Sequence, residues 1–73
     1  MPLLEIEILL NGEKTRVPAG LDVLGLLRHL ELDLERVAVE LNREIVRRPQ
    51  WESATVEHGA ELEIVHFVGG GRA

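Results

Sequence analysis

Few residues of this chain have the types and spacing that chemistry needs. Cysteine is absent, so no side chain can carry a persulfide, form a disulfide or act as a thiolate nucleophile. The three histidines, His29, His58 and His66, stand singly without the close spacing of metal ligands, and no metal site is expected. His66 sits beside Phe67 but has neither a paired carboxylate nor a nucleophile nearby in the sequence, so it reads as a surface or packing residue and not as a general base. Arg47-Arg48 is a small basic pair, suited either to an acidic partner or to a solvated turn. Lys14 is the one lysine, which leaves a single ordinary acceptor for an isopeptide bond.

The remaining candidate is backbone. Gly69, Gly70 and Gly71 follow an alternating apolar run directly, with no serine, proline or charged spacer between. Without Cβ atoms, such a thread can enter a channel too narrow for any side chain. From Val68 to Gly71 it spans on the order of 13 Å when extended. The functional group such an arm can offer is a terminal carboxylate. That group is inert at neutral pH, but transfer of AMP from ATP turns it into an acyl adenylate, which sulfur or amine nucleophiles can attack. The tail is then a substrate, and the catalysis belongs to a partner.

A fixed platform has to project that arm. Leu4, Ile6, Ile8 and Leu10 alternate with Glu5 and Glu7 over residues 3–10, the pattern of a half-buried strand. Asn11-Gly12 provides two residues that tolerate positive φ, and Glu13 to Val17 returns as a second strand before Pro18. The period then changes. Val23, Leu26, Leu27 and Leu30 form one helical stripe, with Asp22 as N-cap and Leu21 and Leu26 as a hydrophobic staple. The helix is expected to end near Glu31, and Gly25 inside it suggests close packing against the sheet. Asp33 to Arg36 reads as a polar link. Val37, Val39 and Leu41 mark a third strand, Asn42-Arg43 a turn, and Glu44 to Val46 a short return. Pro49 to Ser53 makes a turn that tucks Trp51 into the core, and residues 62–67 form the last strand. The order β-β-α-β-β-β predicts an α+β, ubiquitin-like β-grasp fold, in which a mixed sheet of four to five strands wraps one main helix. Residues 1–67 are the expected domain and 68–73 a flexible tail. With one helix on one face, the opposite sheet face is left to water or to a partner, and Leu3, Leu9, Val65 and Phe67 are candidates to lie there.

Seventy-three residues allow one domain near the lower size limit for a core unaided by disulfides or metal. The net charge of -5 opposes non-specific binding to phosphate backbones and favours a basic partner surface, so no nucleic-acid partner is expected. Trp51 and Phe67 are the only aromatic residues, too few for a base-stacking platform. No basic leader and no apolar run of bilayer length is visible, which predicts a cytoplasmic protein with no membrane partner.

Three segments in register resemble the ThiS-type sulfur carriers of thiamine biosynthesis, within the ThiS/MoaD superfamily. "PAGLDVLGLL" is similar to that family's A-x-G-x-[ST]-V-x-x-L-L helix start, "VAVELNREIVRRPQW" to its Val-Ala-Val, Leu-Asn-x-Glu-Ile-Val and Trp hairpin, and "GAELEIVHFVGGG" to its closing strand and tail. Asp22 replaces the usual Thr or Ser but keeps a capping oxygen, and Pro49 lies two residues later than the family's proline. The resemblance implies that the chain is not an enzyme and has no catalytic residues of its own. An E1-like adenylyltransferase of the ThiF type, using ATP, adenylates the terminal glycine. A cysteine-derived sulfur donor converts it to a thiocarboxylate, and a thiazole synthase of the ThiG type receives the sulfur. No cofactor is held permanently. On this reading Gly71 carries the sulfur, Gly69, Gly70 and Gly71 enter partner active sites, and Val65, Phe67 and Val68 contribute to docking.

Arg72-Ala73 departs from the family pattern. As written, the Gly71 carbonyl is bound in an amide to Arg72 and is not a carboxylate. The expectation is that a peptidase removes the two residues; the alternatives are an artificial addition or a copy that does not act as a carrier. Related roles also stay open at this point: a carrier for molybdopterin synthesis or tRNA thiolation, a protein modifier, or a β-grasp RNA-binding or regulatory module.

Overall fold

The computed structural model describes residues 4–67 of the chain. Strands β1 (Glu5–Leu10) and β2 (Glu13–Pro18) form the opening hairpin, followed by α1 (Val23–His29), β3 (Val37–Leu41), β4 (Glu44–Val46) and β5 (Glu61–His66). They make one five-stranded sheet in the order β2-β1-β5-β3-β4, antiparallel except for the central β1–β5 pair. This is the β-grasp layout expected from the element order. Both hairpins turn on two residues of positive φ, Asn11-Gly12 (50° and 84°) and Asn42-Arg43 (52° and 71°), the left-handed pair that a type I′ turn requires.

The core lies between α1 and one sheet face. Ile8, Val17, Val39 and Leu62 from the strands meet Val23, Leu26 and Leu27 from the helix, and Trp51, Val56 and Ala60 close the side. Trp51 is tucked in as anticipated, only 4% exposed. A 3-10 turn, Arg48–Gln50, delivers its ring, and the indole N–H donates to the Val46 carbonyl at 3.0 Å. The inward stripe of β1 fades toward its start: Ile8 is buried, Ile6 half-buried and Leu4 79% exposed. Leu4 precedes the first paired residue and lies past the edge of the core.

The four amides of the first helical turn all find acceptors, three of them outside the helical i→i−4 ladder. Val23 N–H donates to Ala54 O, Leu24 N–H to Trp51 O, Gly25 N–H to the Asp22 carboxylate at 2.7 Å and Leu26 N–H to Asp22 O. The segment 51–56 is thereby stitched to the helix start, and Val56 N–H returns a bond to Leu21 O. Gly25 does not pack on the sheet as the sequence suggested. A Cβ there would come within 3.2 Å of the Asp22 carboxylate and of the Leu21 side chain, so the close approach is to the helix's own cap.

The helix stops two residues earlier than expected, at His29, with Leu30 as C-cap. Glu31 takes φ 59° while its N–H bonds Arg28 O, and Leu32 N–H bonds Leu27 O, the paired closure of a Schellman motif. The position suits glycine, and a glutamate there carries Cβ strain. Glu31→Gly is therefore expected to stabilise the fold by about 0.5–1 kcal/mol. The corresponding rise in melting temperature is roughly 2–8 °C for a domain of this size, read by thermal denaturation. The polar link has structure of its own, a 3-10 turn over Leu34–Arg36 capped by the Asp33 carboxylate.

Among the described residues, no helix is long and apolar enough to cross a membrane.

Candidate functional site

The site is built on β5, the central strand that runs toward the glycine arm. Its side chains alternate: Leu62 is buried and Ile64 half-buried on the helix side, while Glu61, Glu63 and Val65 are exposed. Val65 lies opposite Ala38 of β3 and is 56% exposed, and Phe67, one residue past the strand, is 55% exposed. These are the two docking candidates within the described residues, and both present apolar surface. Leu9 is half-buried, less open than expected, because it sits beside Glu61 and Lys14 in the middle of the paired sheet. Leu3, Val68, Gly69, Gly70, Gly71, Arg72 and Ala73 lie outside the described residues.

Acidic groups surround the apolar surface. Glu40 faces Glu63 directly across the β3–β5 pair and Ile45 across the β3–β4 pair, and Ile45 is 65% exposed. Glu61 has a partner in Arg43 at 3.7 Å, and Glu5 has one in Arg16 at 3.5 Å. Two like charges opposite one another weaken a sheet by a few tenths of a kcal/mol, up to about 1. The face thus sets exposed apolar surface beside a facing pair of carboxylates.

Backbone holds fix the direction in which β5 leaves the fold. On the β3 side the pairing extends to Val37 opposite His66, and Phe67 N–H then donates to Arg36 O at 2.7 Å. On the β1 side the pairing covers only Leu9 with Glu61 and Leu10 with Leu62, because β1 turns away at Asn11. Asn11 continues the ladder with its side chain. Its Oδ1 accepts from Ile64 N–H at 2.7 Å and its Nδ2 donates to Ile64 O at 3.2 Å. Asn42 holds the other end of the strand, with Oδ1 accepting from Glu61 N–H at 3.0 Å and its own N–H donating to Glu61 O. The sequence identifies both asparagines as turn formers. It carries no signal for their second role, since that depends on a strand about fifty residues away from Asn11.

The other polar candidates have structural occupations. Arg48 donates to the Glu35 carboxylate at 3.0 Å and stacks over the Trp51 ring at 5.5 Å, so half of the Arg47-Arg48 pair is spent within the fold. His58 Nδ1 accepts from Glu7 N–H at 3.1 Å and ties the turn before β5 to β1. His66 lines a shallow groove with Leu10, Asn11, Leu30, Leu32 and Ile64, with no carboxylate among the lining residues. Among the described residues, no group of three or more His, Asp or Glu side chains is placed to hold a metal ion.

The exposed strand face and the glycine arm beyond it fall within a single family segment: residues 5–71 match the family model for ThiS. The chain belongs to the ThiS family. It is 30% identical over 66 residues to the sulfur carrier protein ThiS of Escherichia coli, covering 90% of this chain and all of that one. It is 41% identical over 66 residues to a thiazole synthase of Paramagnetospirillum magneticum, and the match covers 90% of this chain. The chain spans only about a fifth of the length of that relative and of a second thiazole synthase, from Magnetococcus marinus. A crystal structure of thiamine biosynthesis protein ThiS from Geobacter metallireducens superposes with a TM-score of 0.78 at 35% identity, covering 90% of this chain and all of that one. For this ThiS-family chain, the matched segment includes Gly69, Gly70 and Gly71 and stops before Arg72.

Proposed function

We propose that this ThiS-family chain is a sulfur carrier for thiamine biosynthesis that bears sulfur as a thiocarboxylate on Gly71. The observation that carries the reading is the family match through Gly71, with the glycines following shortly after a strand whose end presents exposed apolar residues, Val65 and, just past it, Phe67. The carboxylate of Gly71 attacks the α-phosphorus of ATP and pyrophosphate leaves, giving an acyl adenylate. Sulfide derived from cysteine then attacks the carbonyl carbon and AMP leaves, so one oxygen of the carboxylate is replaced by sulfur. Both steps belong to partners, an E1-like adenylyltransferase of the ThiF type and its sulfur donor. ATP is used there and not held by this chain.

Delivery to a ThiG-type thiazole synthase is supported by the two thiazole synthases that contain a segment 39–41% identical to this chain. The same relatives favour thiazole formation over molybdopterin synthesis or tRNA thiolation. Val65 and Phe67, with Val68 beyond them, dock on an apolar partner surface of basic surround, and the exchange takes place in the cytoplasm.

Arg72 occupies the acyl position that sulfur needs. Water must first add to the Gly71 carbonyl and break the Gly71–Arg72 bond, leaving the carboxylate on Gly71 and the amine on Arg72. The test uses a form ending at Gly71 alongside the 73-residue form, each incubated with the ThiF-type adenylyltransferase, ATP and sulfide. Intact mass spectrometry is expected to show the oxygen-to-sulfur shift on the shorter form alone. Absence of the shift on the Gly71-ending form overturns the reading, as does recovery from the native host of only the species that retains Arg72.

A further inference from the structure

We infer that Asn11 is a positioning residue for the tail reaction: its side-chain amide serves as the missing β1 residue beside Ile64 and sets the direction in which β5 projects the glycine arm. This rests on the carrier reading proposed above. The geometry that points to it is an asymmetry in how β5 is held. β3 accompanies β5 along its length, from Leu41 opposite Leu62 to Val37 opposite His66. β1 accompanies it only at Glu61 and Leu62. From Glu63 onward the β1 edge of β5 has no strand beside it, and Ile64 would present both N–H and C=O to nothing on that side.

Asn11 fills both positions with one planar group. The amide oxygen takes the Ile64 N–H at 2.7 Å, and the amide nitrogen meets the Ile64 carbonyl at 3.2 Å. Its own backbone N–H donates to Leu62 O at 2.8 Å, so main chain and side chain together span two successive positions of β5. Beyond Ile64 the described hold on the strand is one-sided, through Val37, His66 and the Phe67–Arg36 bond. A strand end held on one edge can twist about that edge, and an error in its direction grows along an arm reaching on the order of 13 Å from Phe67. The left-handed conformation of Asn11 (φ 50°) is what turns the side chain back toward β5, so the turn and the clamp are one device. Glycine or aspartate can make the same turn, but neither offers both an acceptor and a donor.

Asn11→Gly keeps the turn and removes both bonds; Asn11→Asp keeps the acceptor and loses the donor. The experiment measures steady-state thiocarboxylate formation on Gly71-ending chains with the ThiF-type adenylyltransferase, ATP and sulfide, together with amide exchange at Ile64. In Asn11→Gly, kcat is expected to fall roughly tenfold while KM stays near wild type, because Val65 keeps its partner Ala38 on the docking face. Exchange at Ile64 is expected to speed by about tenfold or more with Ile8 unchanged, and Asn11→Asp should recover part of kcat. Wild-type kcat and KM in Asn11→Gly, with Ile64 exchanging faster, would show that the clamp serves stability alone and would overturn the inference. Asn11→Asp supplies the same comparison should Asn11→Gly fold poorly. A wild-type chain that gives no thiocarboxylate overturns the carrier reading itself, and the two failures are thereby distinguished.

Discussion

Replacing Gly70 with leucine is expected to leave the domain folded and to lower thiocarboxylate formation at Gly71 by about 100-fold or more, through kcat. Truncation after Gly69 is expected to abolish the reaction outright with the same intact fold. The two halves of this result come from different parts of the chain. Every buried residue of the core lies between Ile8 and Leu62, and the last backbone hold among the described residues is the Phe67–Arg36 bond, so the described core and sheet are complete without position 70. On the proposed carrier reading, the reaction depends on it entirely. On that reading, a partner that excludes water around an acyl adenylate would enclose the arm closely, and a leucine side chain where the chain carries a single hydrogen would displace the carbonyl from the attacking group.

Val65→Asp makes the useful contrast. It places a third carboxylate beside the Glu40–Glu63 pair and on the proposed docking surface, so it is expected to raise KM and leave kcat nearly unchanged. Circular dichroism melts establish that both variants fold, and initial rates with the adenylyltransferase separate arm from platform. A Gly70→Leu chain converted at the wild-type rate would show that the arm does not enter an enclosed channel.

The platform was largely legible in the sequence because its signals are local. Period two in β1, period 3.6 in α1, Asn-Gly at the first turn and aspartate before the helix each depend on neighbours a few residues apart, and the structure has the elements they predict. The details that escape the sequence are of two kinds, local closures imposed at the helix ends and contacts between distant parts of the chain. Gly25 was expected against the sheet, whereas its nearest neighbours are Leu21 and Asp22 of the cap. Glu31 in a left-handed C′ position gives no warning, because its conformation is imposed by closure of the helix onto Leu32 and not by its own preference. Asn11 and Asn42 carry ordinary turn signals, and their contacts to β5 exist only once the sheet has assembled in the order β2-β1-β5-β3-β4. The same limit applies to the candidate site. The apolar character of Val65 and Phe67 is readable, but the acid pair beside them appears only when Glu40 and Glu63 are brought into register.

Trp51→Ala is expected to cost about 3–5 kcal/mol, a large share of the 5–10 kcal/mol or so that a domain of this size has in total. Three separate losses add up there. The indole fills the side of the core next to β4 and is 4% exposed, so its removal leaves a cavity that short 3-10 geometry on one side and a three-residue strand on the other cannot easily collapse. Its N–H is the donor to Val46 O, and a half-buried carbonyl left without a partner costs about 1–3 kcal/mol. Its ring also supports the Arg48 guanidinium, which in turn holds Glu35 and the turn that leads into β3. Trp51→Phe separates these contributions, since it keeps much of the volume and loses the donor, and is expected to cost about 1–3 kcal/mol. Urea unfolding followed by circular dichroism measures both. The exposed Ile45 on the adjacent strand sets the scale, because its replacement by threonine is expected to stay within about 0.5 kcal/mol of wild type. A Trp51→Ala chain as stable as the Ile45→Thr chain would mean that the segment 47–56 is not bound to the core, and then the acceptors it gives to the Val23 and Leu24 amides could not be what starts the helix.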